Sequence, residues 1–122
     1  MTDRELNVES VDLAKIAARA ADDKQGTEIL VIPVGDVLAI TEYFVVASAS
    51  NKRQVRAIAD EVLTKVRDAT GRSPLRSEGT SEQQWILVDY GDVVVHVFAE
   101  ETRQFYEIER LYKDVALVDW AN

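Results

Sequence analysis

The segment WILVDYGDVVVHVFA, residues 85–99, decides the fold. Two apolar runs, Trp85–Tyr90 and Val93–Ala99, are joined by Gly91-Asp92 alone. A two-residue link of this kind closes a β-hairpin, because glycine supplies the positive φ that a tight turn between twisted strands needs. The first run alternates Trp85, Leu87 and Asp89 against Ile86, Val88 and Tyr90, and Asp89 marks its own face as the one that meets water or a partner. In the second run His96 shares a face with Val94 and Phe98, opposite Val95 and Val97.

Upstream of the hairpin, Val55, Ile58, Ala59, Val62, Leu63 and Val66 recur at the spacing of one helical face. Ser50 or Asn51 is expected to cap this helix and Gly71 to end it. Lys52, Arg53 and Arg56 in its first turns oppose the helix dipole, which makes that edge a secondary surface of interest. Before it, YFVVAS (43–48) reads as a strand covered on both faces, and Ile29–Val34 as a strand whose Pro33 suggests an edge or a terminus. Residues 10–24 read as a first helix, capped by Ser10 and stopped by Gly26. A short edge strand is expected in Ser73–Ser77. After the hairpin, Thr102 is expected to cap a helix with Phe105, Ile108 and Tyr112 on one stripe, and Val115–Val118 to form a last strand. The order is that of a single α/β domain with a mixed β-sheet flanked by helices, spanning 1–122 with a core of about 10–120.

Composition fits one such core: 122 residues, 47% apolar, with five Gly and two Pro. Cysteine is absent, which excludes disulfides, thiol catalysis and Cys-based metal sites and fits a cytoplasmic protein. The acidic N-terminus, MTDRELNVESVD, lacks the layout of a signal peptide, and no apolar run approaches a membrane span. A net charge of −8 argues against generic binding to nucleic acid or to anionic lipid. The imbalance is local. Residues 78–101 hold six acids and no Lys or Arg, whereas residues 51–77 hold seven Lys and Arg and three acids.

Catalytic patterns are weak. The one histidine lies mid-strand, where a hydrogen-bonded core role outweighs that of a base. Asp89 and Asp92 flank the hairpin turn and could hold a divalent cation, although acids there more commonly form the turn itself. The segment ASASNKR (47–53) lacks the glycines of a phosphate loop, so helix capping is the plainer reading and anion binding the alternative. Trp85, amid acids, reads either as a protein-binding anchor or as a core side chain under a helix.

Four segments in order resemble one family: TEYFVVASASNKRQVRAIADEV (41–62), EG (78–79), WILVDYGDVVVHVF (85–98) and EETRQFYEIERLY (100–112). Together they are similar to the Iojap family of ribosomal silencing factors, across nearly the whole chain. The resemblance implies a nucleotidyltransferase-like fold without the active site. It also implies a non-enzymatic role that needs no cofactor: binding ribosomal protein uL14 on the intersubunit face of the large ribosomal subunit, blocking the small subunit, and lowering translation when nutrients run short. Carried over by position, the contacts are Trp85, Asp89 and Tyr90, with Leu87 and Glu78 as weaker members. Family resemblance further implies a homodimer, in which Arg103 and Tyr106 would be either contacts or structural residues. Glu42 stands where the family usually has Asp, and Gln54 where a histidine is common. Two other readings stay open: a residual nucleotidyltransferase-type enzyme, and an acidic adaptor for a different basic protein. Against the enzyme, Ser48-Ala49-Ser50 replaces the Gly-Ser turn, and no strand carries paired carboxylates.

Overall fold

The structure, a computed structural model, describes residues 9–121. The acidic stretch read as lacking a signal peptide lies mostly outside them. The elements run α1 (Ser10–Asp23), β1 (Thr27–Pro33), β2 (Tyr43–Ala49), α2 (Lys52–Thr70), β3 (Arg76–Glu78), β4 (Trp85–Asp89), β5 (Val93–Ala99), α3 (Glu100–Tyr106) and a 3-10 turn (Ile108–Tyr112). The strands form one sheet in the order β1-β2-β5-β4-β3. Only β2 and β5 pair in parallel; the other neighbours are antiparallel, so the sheet is mixed as expected. Pro33 ends an edge strand, where its missing N–H costs no ladder bond. The hairpin closes through Gly91 at φ 93°, with the Tyr90 N–H donating to the Val93 carbonyl at 2.9 Å.

Both long helices cover the same face. Val55, Ile58, Ala59, Val62 and Val66 of α2 pack with Leu13, Ala14, Ala17, Ala18 and Ala21 of α1 over Val45, Ala47, Ile86, Val88, Val95 and Val97. The alanines let α1 lie close to its neighbours, and close packing is what makes a thin layer stable. Asn51 caps α2 by accepting the Gln54 N–H, and Gly71 ends it at φ 75°. Gln54 replies by accepting from the Ser50 N–H and hydroxyl, and its amide donates to the carbonyls of Lys24 and Gln25. The start of α2 is thereby tied to the end of α1.

Four expectations need correction. Ser10 does not cap α1: Glu9 holds that position, and the Ser10 hydroxyl donates to Asp92 at 2.6 Å. Gly26 follows the end of α1 where expected, though its own φ is not what stops the helix. Gln25 takes the left-handed conformation (φ 65°), and Gly26 is required by space, since a Cβ would lie 3.0 Å from the Ala21 carbonyl oxygen. Thr102 lies inside α3 rather than capping it, and the Phe105–Ile108–Tyr112 stripe is broken by Glu107 at φ 45°. Phe105 is consequently exposed while Tyr112 is buried. Val115–Val118 is not a strand; it follows β1 through one backbone bond, Val118 N–H to the Val31 carbonyl, reinforced by Trp120 Nε1 to Ile29.

The C-terminal segment instead shields part of the sheet's second face, where Tyr112 packs with Ile32, Val34, Val46 and Phe98. Arg103, 4% exposed, anchors it by donating to the Glu28 carbonyl, the Ser48 hydroxyl and Glu109. Of the two roles open to Arg103, the structural one is observed. Among the described residues, neither long helix covers this second face toward β4 and β3.

Candidate partner-binding site

Register alone assembles most of the site. Arg76 pairs with Asp89 and Asp89 with Val94; Glu78 pairs with Leu87 and Leu87 with His96; Trp85 pairs with Phe98. Cross-strand partners share a face, so Glu78, Leu87, Asp89 and Trp85 project together from the side that the two long helices leave open. Tyr90 does not join them. It is 2% exposed and packs with Ile86 and Val88 beneath the helices, as the alternation along β4 requires. Burial pushes its phenol up to about 12, and its hydroxyl is buried without a hydrogen-bond partner. Tyr90 is therefore corrected from a surface contact to a core residue.

Trp85 satisfies parts of both its readings. Half-buried, it packs against Phe98 and Tyr106, with ring centroids 4.6 and 5.0 Å away. Its indole N–H donates to His96 Nδ1 at 3.1 Å. His96 is 5% exposed, and desolvation pushes its imidazole down to about 4 despite the opposing charge of Asp89. The ring is thus neutral at pH 7. With Nδ1 accepting, the bonding network assigns the proton to Nε2, which is buried without a partner. This is the core role expected for the histidine.

The acids are less free than sequence suggests. Asp89 accepts from the Gly91 N–H at 2.8 Å and from Arg76 at 3.2 Å, and Arg76 reaches Glu78 at 3.5 Å. Asp92 is bridged by Arg72 at 2.7 and 3.1 Å and by Ser10. Burial opposes ionisation of Asp92, yet these hydrogen bonds hold its carboxyl below the usual carboxylate range. Each aspartate flanking the turn thus has an arginine where a cation was considered. Among the described residues no group of three or more His, Cys, Asp or Glu is placed to hold a metal ion.

Beside Asp89 the open face dips into a cavity of about 330 Å³, walled in part by Leu38, Phe44, Leu75, Leu87, Val94 and His96. Ile40 and Leu75 stand on its rim, 85% and 75% exposed. Sequence reading missed this cavity and Arg76. The latter was detectable, because Arg76 and Glu78 stand two apart on an edge strand and so share a face. The cavity was not, since its walls come from chain segments distant in sequence. The basic start of α2 is exposed, and Arg56 pairs with Asp60 one turn on. At the 47–53 turn, capping by Asn51 is what is observed.

Fold and site together define a class: a two-layer α/β domain with its two long helices on one face and an aromatic, acid-edged patch on the other. The chain matches the family described as "Ribosomal silencing factor during starvation" over residues 7–122. It belongs to that ribosomal silencing factor family. It is 39% identical to the ribosomal silencing factor RsfS of Bacillus subtilis, over 88% of this chain and 90% of that one. A crystal structure of a Chromobacterium violaceum protein matches with a TM-score of 0.82 at 35% identity, over 86% of this chain and 87% of that one. A mouse protein named for mitochondrial assembly of the ribosomal large subunit is 32% identical, over 70% of this chain and 38% of its own length.

Proposed function

We propose that this protein binds the large ribosomal subunit through ribosomal protein uL14 and, by occupying the intersubunit face, keeps the small subunit from joining. Translation is thereby repressed under nutrient limitation, in the cytoplasm and without catalysis or a cofactor. Family membership supports the ribosomal setting. One observation carries the choice of face: Trp85, Leu87, Asp89 and Glu78 emerge side by side on the sheet face that the long helices leave open. Aromatic anchors surrounded by polar rims are where binding energy concentrates in protein interfaces. The acids add charge complementarity to a basic ribosomal protein, with Arg76 as the group a partner's cation would displace. Tyr90 supports the face from beneath. A homodimer using the same face would compete with the ribosome.

Co-sedimentation with purified large subunits tests this reading. The parent protein is expected to pellet with them, and Leu87→Ser is expected to stay in solution. Parental pelleting by a folded Leu87→Ser protein would overturn the choice of face.

A further inference from the structure

We infer that the cavity beside Asp89 is a socket for an uncharged, apolar loop segment of the ribosomal partner, flanked in that partner by a cation; the inference rests on the partner face proposed above. Scattered exposed apolar side chains are ordinary on any surface. Ile40 and Leu75 are not scattered: both stand on the rim of one cavity, although they lie far apart in sequence. Such a depression beside an aromatic side chain has the form of a hot-spot pocket, where burial of an inserted apolar group excludes water.

A second, independent observation comes from the polar atoms of the same cavity. Thr41 Oγ1 and His96 Nε2 both belong to lining residues, and both are buried without a hydrogen-bond partner. Because the Trp85 indole occupies Nδ1, His96 offers a donor at Nε2. The Thr41 hydroxyl can donate as well. A segment that brings a carbonyl oxygen satisfies such donors, whereas a Lys or Arg side chain carries donors only and cannot. Charge is instead expected at the mouth. There Asp89 is held by Arg76, itself well exposed, and a partner's cation can replace that arginine while the neighbouring uncharged residues enter the socket.

The test measures affinity for purified large ribosomal subunits together with the melting temperature of each variant. Ile40→Ser combined with Leu75→Ser changes two exposed side chains and is expected to leave melting unchanged while weakening binding at least tenfold. Thr41→Val removes an unpaired hydroxyl at nearly constant shape. It is expected to be no less stable than the parent, yet to bind several-fold more weakly, a combination that a purely structural threonine would not give. Trp85→Ala serves as the control for the face. Parental binding by the rim variant, with binding lost in Trp85→Ala, would overturn the socket while leaving the face in place. Parental binding by both would overturn the face, and the socket with it.

Discussion

Trp85 of β4 and His96 of β5 are diagonal neighbours on one sheet face, and the indole N–H donates to His96 Nδ1 at 3.1 Å. The bond joins a partly buried aromatic side chain to a buried ring, so the outer surface of the site is oriented from inside the core. Burial of that ring sets how the histidine responds to pH.

His96 lies well below the ordinary histidine value, 6.5 down to about 4, chiefly because burial penalises the cation. The unfolded chain therefore binds a proton that the folded chain refuses. Stability from this group is complete above about pH 6.5 and is lost as the pH falls toward 4, by about 3 kcal/mol in total. Urea denaturation at pH 7 and pH 5 checks this. The loss on acidification should be smaller in His96→Gln than in the parent, since other groups contribute equally to both.

Tyr90→Phe removes a buried hydroxyl that has no partner. Deleting an unsatisfied polar group costs nothing in hydrogen bonding, so stability should change by less than about 1 kcal/mol and could rise. Binding to large subunits should remain parental, because the side chain lies beneath the helices. Tyr90→Ala should instead cost about 3–5 kcal/mol, by opening a cavity in the core. Chemical denaturation separates the two.

Arg103→Met tests the clasp that holds the C-terminal segment to the sheet. The buried guanidinium bonds to Glu28, Ser48 and Glu109, and its removal strands a carboxylate and a hydroxyl in a poorly solvated place. Breaking a buried pair from one side costs about 3–5 kcal/mol, and Glu109, 27% exposed, puts this pair at or below the lower end of that range. Protection of the Val118 amide against hydrogen exchange should fall in the same variant, since its bond to Val31 depends on that docking.

Arg76→Ala has the opposite character. Its pairs with Asp89 and Glu78 are at the surface, so stability should shift by less than about 1 kcal/mol. Freeing both acids should tighten binding to a basic partner and steepen its dependence on salt, as a titration repeated at two ionic strengths would reveal.

Much of this architecture is legible in the residues. The 85–99 hairpin, the 55–66 helix and the β2 strand rest on periodicity and turn chemistry, which are local. The alternation Trp85-Leu87-Asp89 against Ile86-Val88-Tyr90 also assigns Tyr90 to the covered face; carrying it over with a motif sets that alternation aside. Residues 102–118 resist such reading. A single left-handed residue, Glu107, redirects the chain, and the segment that follows is held by Arg103 and Trp120 reaching β1 across long sequence separations. The acids of 78–101 look free in sequence because their arginines, Arg72 and Arg76, precede the stretch and meet it only through the sheet and the turn beside it.

The central claim is steric: a protein seated through the Trp85 face prevents the ribosomal subunits from joining. Light scattering during mixing of large and small subunits measures this directly, with melting temperatures confirming that each variant is folded. The parent protein should suppress the rise in scattering, and Trp85→Ala and Leu87→Ser should restore it. A folded variant of either kind that suppresses joining as the parent does would contradict the account.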